Sequence, residues 1–332
     1  MFENFLIKGS GNIALRHAIN IKKNSKKNKI LFLTNNNTSE FKNFCKKNKF
    51  FVYNNEEKLD NIKIKAILIC SPSKFHIKNL KTLSNLSNNF FIEKPISSKL
   101  SEALKVLEYK KKLIFVGYNL LYDKKLIYLK KLIKKKIKKF GKLYYVQCDV
   151  GQCLKTWRRN KDYTKTVSAK KSLGGGVLLE LSHEINYLCW LFGRPKKISS
   201  NIKKVSKLKI DVEDYAVHNI NFKKNLICNL RTDFIRKDKK RNINLVFENY
   251  SIFIDFVKDK IKIINNIKAK IISFKINSNT SYKDQLNFFL DLIKRKKKDP
   301  NLRLALDTLN VIKYARLSNK NNSKTIQIKY DY

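Results

Sequence analysis

Phe5-Leu6-Ile7-Lys8-Gly9-Ser10-Gly11-Asn12-Ile13-Ala14 opens a chain of 332 residues by running a short apolar strand into a turn with two glycines and then into a helix. The spacing is G-x-G-x-x-G/A, placed between strand and helix, where that pattern binds a dinucleotide. Gly9 permits the tight turn, Gly11 lets backbone approach a pyrophosphate, and Ala14 allows close packing of helix on strand. A helix starting near Asn12 offers free N–H groups and a positive dipole to phosphate. Gly9, Ser10, Gly11, Asn12, Ile13 and Ala14 are therefore candidate cofactor contacts.

Strands and helices then alternate. The strand over 30–33 ends in Thr34-Asn35-Asn36-Asn37, with no Asp or Glu for the adenosine ribose. Asn35 is the candidate contact there, and NADP is as open as NAD. Segments 50–53 and 66–70 read as buried strands, the second followed by Ser71-Pro72-Ser73-Lys74-Phe75-His76. Phe90-Phe91-Ile92 is a third apolar strand and runs into Glu93-Lys94-Pro95. Ligands collect beyond the carboxyl ends of parallel strands, so Lys94 would stand half in protein and half in a cleft. A helix over 99–110 and a strand over 113–116 ending at Gly117 complete the series. Alternation at this spacing implies βαβ units and a doubly wound parallel sheet.

Taken together, Gly9-x-Gly11-x-x-Ala14, Ser71-Pro72 with His76, Glu93-Lys94-Pro95 and Val116-Gly117-Tyr118-Asn119 resemble the Gfo/Idh/MocA oxidoreductases, which include glucose–fructose oxidoreductase and inositol dehydrogenases. The resemblance spans essentially the whole chain. It implies a Rossmann domain over 1–118 and a substrate-binding and oligomerisation α+β domain over 119–332, whose largely antiparallel open sheet serves homodimer or homotetramer contact. It implies that Lys94 touches nicotinamide and substrate, that the bond before Pro95 is cis, and that Ser71, Pro72, His76, Glu93 and Lys94 line the cofactor.

In the second half, a helix over 123–135 leads to a strand over 142–150. The polar stretch 151–172 follows, holding Trp157, Arg158, Tyr163 and Lys170. Irregular segments of this length tend to be functional. Aromatic faces suit sugar rings, and Arg158 and Lys170 suit phosphate or carboxylate. Gly174-Gly175-Gly176 then launches one helix over 177–192, with Leu178, Leu181, Ile185, Leu188 and Phe192 on its apolar face. Glu180, His183, Glu184 and Tyr187 share another stripe, where an acid can orient the imidazole as a proton acceptor. The family carries an Asp–His pair here, with the His four residues after the Asp. Glu180 and His183 stand one residue closer, and Asn186 replaces a further Asp. By that resemblance Lys94, His183 and Glu180 are the catalytic candidates. Asn119, Trp157, Arg158, Tyr163, Lys170, Asn186 and Tyr187 are the substrate contacts, in a branch associated with surface-polysaccharide sugars. Strands over 198–205, 215–222, 225–234, 243–247, 251–257 and 260–264 follow, closely enough spaced for hairpins. Helices over 282–297 and 302–317 and an edge strand over 325–328 close the chain.

Composition narrows the function. Lys and Arg number 73 against 26 Asp and Glu, a formal charge of +47. The lysines are spread over nearly every element, which points to weak polyanion sticking rather than a specific nucleic-acid partner. The six cysteines are scattered, without a metal spacing, and no segment is apolar enough to span a membrane. A reducing cytoplasm, no metal and no membrane are the expectations. Three readings result: an NAD- or NADP-dependent dehydrogenase of a sugar or polyol, a non-catalytic regulator of the same fold, or a basic nucleic-acid-binding protein.

Overall fold

A computed structural model describes residues 3–157 and 162–332. The chain divides into two compact units, Met1–Tyr118 with Tyr282–Leu306, and Asn119–Ser281 with Asp307–Tyr332.

The first unit alternates β1 (Glu3–Lys8), α1 (Asn12–Asn24), β2 (Asn28–Leu33), α2 (Ser39–Asn48), β3 (Phe51–Tyr53), β4 (Ile64–Ile69), α3 (His76–Leu83), β5 (Asn89–Glu93), α4 (Leu100–Ala103) and β6 (Leu113–Gly117). The six strands form one parallel sheet in the order β3-β2-β1-β4-β5-β6. The chain runs outward from β1 on one side and from β4 on the other, so the order reverses between them, where ligands bind in such sheets. The central strands are buried on both faces, as their unbroken apolar runs require. Segment 50–53 departs from its reading as a buried strand. β3 is an edge strand, with Phe51 and Val52 about half exposed. An apolar run alone does not tell an edge from a centre. α1 lays Ala14, His17, Ala18 and Ile21 against the sheet at positions i, i+3, i+4 and i+7. The expected helix over 99–110 is an α-turn, α4, that tightens into 3₁₀ over Leu104–Glu108. Phe289, from the returning segment, packs on Phe91 and Phe115 with ring centroids 5.5 and 5.4 Å away.

The second unit contains α5 (Lys124–Phe140), β7 (Leu143–Gly151), α6 (Leu154–Trp157), α7 (Val177–Glu180), α8 (His183–Phe192) and β8 (Lys197–Lys203). These lead to β9 (Tyr215–Asn221), β10 (Ile227–Asp233), β11 (Lys240–Phe247), β12 (Ser251–Asp255), β13 (Lys260–Ile264) and β14 (Ala269–Ser273). After α9 (Thr280–Lys294), which belongs to the first unit from Tyr282 on, and α10 (Leu302–Lys320) comes β15 (Ile326–Gln327). The sheet order is β14-β13-β12-β11-β7-β10-β9-β8-β15. Only the β7–β10 pair is parallel, and every other ladder is antiparallel. β14 was not anticipated, because its alternation is weak and all but Ile272 of its residues are exposed. Among the described residues no helix is long and apolar enough to cross a membrane.

The helix expected over 177–192 is two helices. Leu181 (φ −100°, ψ 29°) ends α7, and α8 starts afresh at His183. Glu180 and His183 therefore do not share one uninterrupted helical stripe.

Candidate active site

The carboxyl end of β1 delivers the glycine turn. Gly9 has φ +116°, and a Cβ there would lie 2.9 Å from the carbonyl carbon and oxygen of Cys70, at the end of β4. Only glycine fits this position without strain. At Gly11 a Cβ would meet nothing within 4 Å, and this residue caps α1 without any side-chain hydrogen bond. The amino end of α1 carries the positive end of the helix dipole, and the open space at Gly11 lets an anionic group reach the backbone. These features fit the pyrophosphate of a nicotinamide dinucleotide. Ala14 is fully buried beneath the turn, Ile13 half-buried, and Asn12 exposed. Beside the turn, Asn36 Nδ2 donates to Ser10 Oγ at 3.0 Å, and Thr34 Oγ1 donates to the same atom at 3.3 Å. Asn36, not Asn35, closes on the loop; Asn35 is exposed. No carboxylate stands between Thr34 and Thr38.

Two strands away, β5 ends in Glu93, and the Lys94–Pro95 bond is cis. Glu93 was expected to line the cofactor, but its carboxylate is buried inside the unit. Oε1 lies 2.7 Å from His17 Nε2, and Oε2 accepts the backbone N–H of Lys94 at 3.2 Å. His76 is likewise buried, with Nε2 2.7 Å from Ser71 O and Nδ1 3.0 Å from Pro95 O. Burial lowers its pKa below the ordinary value, so the ring stays neutral near pH 7 and donates to one carbonyl at a time. Ser71 Oγ accepts from Asn79 Nδ2 at 2.8 Å, Pro72 is half-buried, and Lys94 is half-buried at the turn itself. His17 escaped the sequence reading, although its place three residues after Ala14 on the buried face of α1 was a usable signal.

In the second unit the three glycines thread a narrow passage. Gly174 and Gly176 have φ of +83° and +102°, and a Cβ at Gly175 would sit 2.2 Å from Val167 O. Gly176 N–H donates to Ser168 O at 3.1 Å, and Glu213 receives the N–H groups of Val177 and Leu178. Glu180, half-buried at the end of α7, accepts a hydrogen bond from Ser168 Oγ at 3.0 Å. His183 is buried at the first position of α8. The adjacent Glu184 is fully buried and pairs with Arg241 of β11, Oε1 to Nε 3.0 Å, which anchors the start of that helix. Arg241 was not anticipated, since nothing in sequence links it to α8.

The expected substrate contacts fall into two groups. Tyr187 is fully buried, its ring stacked on Phe256 and its hydroxyl 3.8 Å from Cys148 Sγ. Asn186 donates to Thr308 Oγ1 at 2.9 Å, and Asn119 to Ser281 Oγ at 2.8 Å, both from buried positions. Trp157 packs edge-on against Phe234 at 5.4 Å, Tyr163 Oη accepts from Lys209 N–H, and Lys170 is exposed. Arg158 lies outside the described residues.

Comparison with known proteins agrees with this layout. The model of an oxidoreductase family with an NAD-binding Rossmann fold, Gfo/Idh/MocA, matches residues 3–118, and the model of a C-terminal domain of the same family matches 127–253. An uncharacterized oxidoreductase of Synechocystis sp. is 26% identical over 159 residues, which are 46% of this chain and 41% of that protein. The matched stretch is thus less than half of that relative's length. Myo-inositol 2-dehydrogenase from Lactobacillus plantarum superposes with a TM-score of 0.82 at 18% identity, covering 99% of this chain and 100% of that one. Levoglucosan dehydrogenase in complex with NADH gives 0.85 at 13%, with 99% and 100% covered. Aldose-aldose oxidoreductase from Caulobacter crescentus gives 0.83 at 15%, with 98% and 100% covered. At these identities the likeness is one of fold. Glycine turn, Lys94 turn and both family models lead to one assignment: the chain belongs to the Gfo/Idh/MocA family of oxidoreductases, with an NAD-binding Rossmann fold.

Proposed function

We propose that the protein oxidises or reduces a CH–OH group of a sugar, sugar derivative or polyol, using NAD or NADP. One observation carries the reading: the glycine turn and Lys94 stand at the carboxyl ends of β1 and β5, in one sheet, flanking the strand where the order reverses. The nicotinamide, when bound, supplies the hydride acceptor or donor. Gly9 to Ala14 would hold its pyrophosphate, with Ser71 and Pro72 alongside. Lys94 would donate a hydrogen bond to the substrate oxygen and stabilise negative charge developing there. His183 would take the hydroxyl proton as the C–H bond gives up its hydride. Glu180, held by Ser168, would support the imidazole. The sugar-type relatives favour this substrate class, and half-buried Trp157 and Tyr163 with exposed Lys170 suit it.

The missing carboxylate after β2 supports use of both dinucleotides. We also place self-association on the outer face of the nine-stranded sheet. There Tyr145 and Ile227 remain over 40% exposed, around a concavity of about 560 Å³ lined in part by Asp149, Arg231 and Lys240.

Fluorescence titration with NADH and NADPH, followed by a panel of polyols and aldoses scored by nicotinamide absorbance, tests the proposal. Binding of either dinucleotide together with turnover of a panel member supports it. Absence of dinucleotide binding overturns it, and binding without turnover across a broad panel favours a non-catalytic regulator.

A further inference from the structure

Two buried imidazoles converge on the turn that carries Lys94. His17 comes from the helix that follows the glycine turn, and His76 from the helix that follows β4. His17 is fully buried, between Phe91 at 4.8 Å and Tyr282 at 6.4 Å. Its Nδ1 has no hydrogen-bond partner among the described residues, so Nε2 carries the proton and donates to Glu93. Glu93 passes the constraint on, because its second oxygen holds the backbone N–H of Lys94. β6 leaves room for this carboxylate only because its partner in register is Gly117, where a Cβ would lie 3.1 Å from Glu93 Oε1 and 2.8 Å from Phe91 Cε1. On the other side, His76 lies between Ser71 O and Pro95 O, where its one N–H donates either to the loop after β4 or to the Lys94 turn.

A core that needed only filling would place apolar side chains here. Burying a carboxylate and two imidazoles is costly unless their hydrogen bonds are used. Every one of these bonds ends on residues 71 or 93–95. We infer that His17 and His76 are positioning residues, which fix the Lys94 amine relative to the glycine turn without touching substrate themselves. The inference rests on the reading of Lys94 as the group that polarises the substrate oxygen.

The test uses the full chain carrying H17L, H17Q, H76L or K94A, and the H17L/K94A double variant. Three quantities are read: NADH affinity by fluorescence, turnover with the panel member used fastest, and the rate at which acetic anhydride labels Lys94, by mass spectrometry against Lys74. H17L is expected to lower turnover about 10- to 100-fold, as a displacement near 1 Å at a reacting group does, while NADH affinity stays within about threefold. H17Q keeps a donor within reach of Glu93 and should recover most of the loss. H76L should resemble H17L. Lys94 labelling should change severalfold in H17L while Lys74 stays constant. With Lys94 absent, H17L should cost less than about twofold, because its effect runs through that amine. A full H17L loss in the K94A background overturns the inference, as does unchanged Lys94 labelling or a defect that H17Q fails to recover. If H17L does not fold, G117A presses on the same carboxylate from the opposite strand, and unchanged Lys94 labelling there is equally fatal. Normal turnover of K94A would instead remove the Lys94 reading itself. A K94A defect with a normal H17L removes the positioning role alone.

Discussion

Lys94, the reactive side chain we propose in the first unit, sits on a turn at the end of a buried strand, whereas His183, the one we propose in the second, opens a helix that follows three glycines. The Lys94 turn is held by the neighbouring Glu93 carboxylate on the Lys94 N–H, and by two histidines from 19 and 76 positions away, His76 facing Pro95 O and His17 on Glu93. His183 also depends on distant partners. The glycine passage is held by Val167, Ser168 and Glu213, and α8 is anchored by Arg241, 58 positions beyond His183 in the sequence. A hold made by a neighbouring residue, as Glu93 on Lys94, restricts which residues can stand there. One made by distant side chains leaves the local sequence freer. Each unit also holds a carboxyl whose pKa is shifted, in opposite directions. Burial pushes the Asp299 carboxyl up to about 6 in the first unit. In the second, burial would raise Asp149, but hydrogen bonds from Arg231, Lys240 and Arg236 outweigh it and hold that carboxyl well below the usual range.

The contrast can be broken most sharply at Lys94. Replacing it with Ala should lower turnover at least about a hundredfold and leave NADH affinity nearly unchanged, since one well-placed donor to a developing oxyanion is worth about 2.7–4 kcal/mol. Steady-state rates and a fluorescence titration on the same sample check this. An equal loss of affinity and rate would make Lys94 a cofactor ligand only.

The pH contrast comes next. Asp299 binds its proton more tightly folded than unfolded, so its contribution is fully favourable below about pH 4 and is lost as pH rises through 6. Relative to Asp299→Asn, the protein should lose about 2 kcal/mol of stability between pH 4 and pH 7, read from urea midpoints. Asp149 works the other way: its contribution is present above about pH 4 and is lost as pH falls further. Relative to Asp149→Asn, the protein should therefore weaken only on the acid side. Parallel pH curves for both variants would erase the contrast.

Gly9→Ala sharpens the backbone side of the comparison. A positive φ combined with a 2.9 Å approach to the Cys70 carbonyl should cost about 1–3 kcal/mol and at least about tenfold in NADH affinity. Melting temperature and titration report the two losses separately. Ser168→Ala is the smallest change. It removes one hydrogen bond to Glu180, worth about 1 kcal/mol, and should slow turnover severalfold without altering NADH binding.

The fold was legible where residue type answers to backbone geometry. Gly9, Gly11 and Ala14 announced the turn, and strand–helix alternation announced the parallel sheet. Glu93-Lys94-Pro95 marked the loop at the carboxyl end of β5, two strands from the glycine turn. What escaped detection depends on contacts between distant segments. His17 reaches Glu93 across 76 positions, and no local pattern records that. The break at Leu181 is hidden because the apolar spacing continues through it, so a period of 3.6 reads as one helix. Tyr187 stood out because it shares a stripe with His183, and Asn186 because of the family resemblance. Both are buried, against Phe256 and Thr308, through contacts between distant segments that no local pattern records. Edge strands β3 and β14 were misjudged or missed for the same reason, since exposure is a property of neighbours.

The central proposal, that Lys94 and His183 serve one reaction, is tested most directly by a double-mutant cycle on turnover with Lys94→Ala and His183→Ala. Each single change should cost at least about a hundredfold, and the double variant should be scarcely slower than the worse single one, because groups acting as a unit are not additive. Losses that multiply, or a near-normal His183→Ala, would contradict the account.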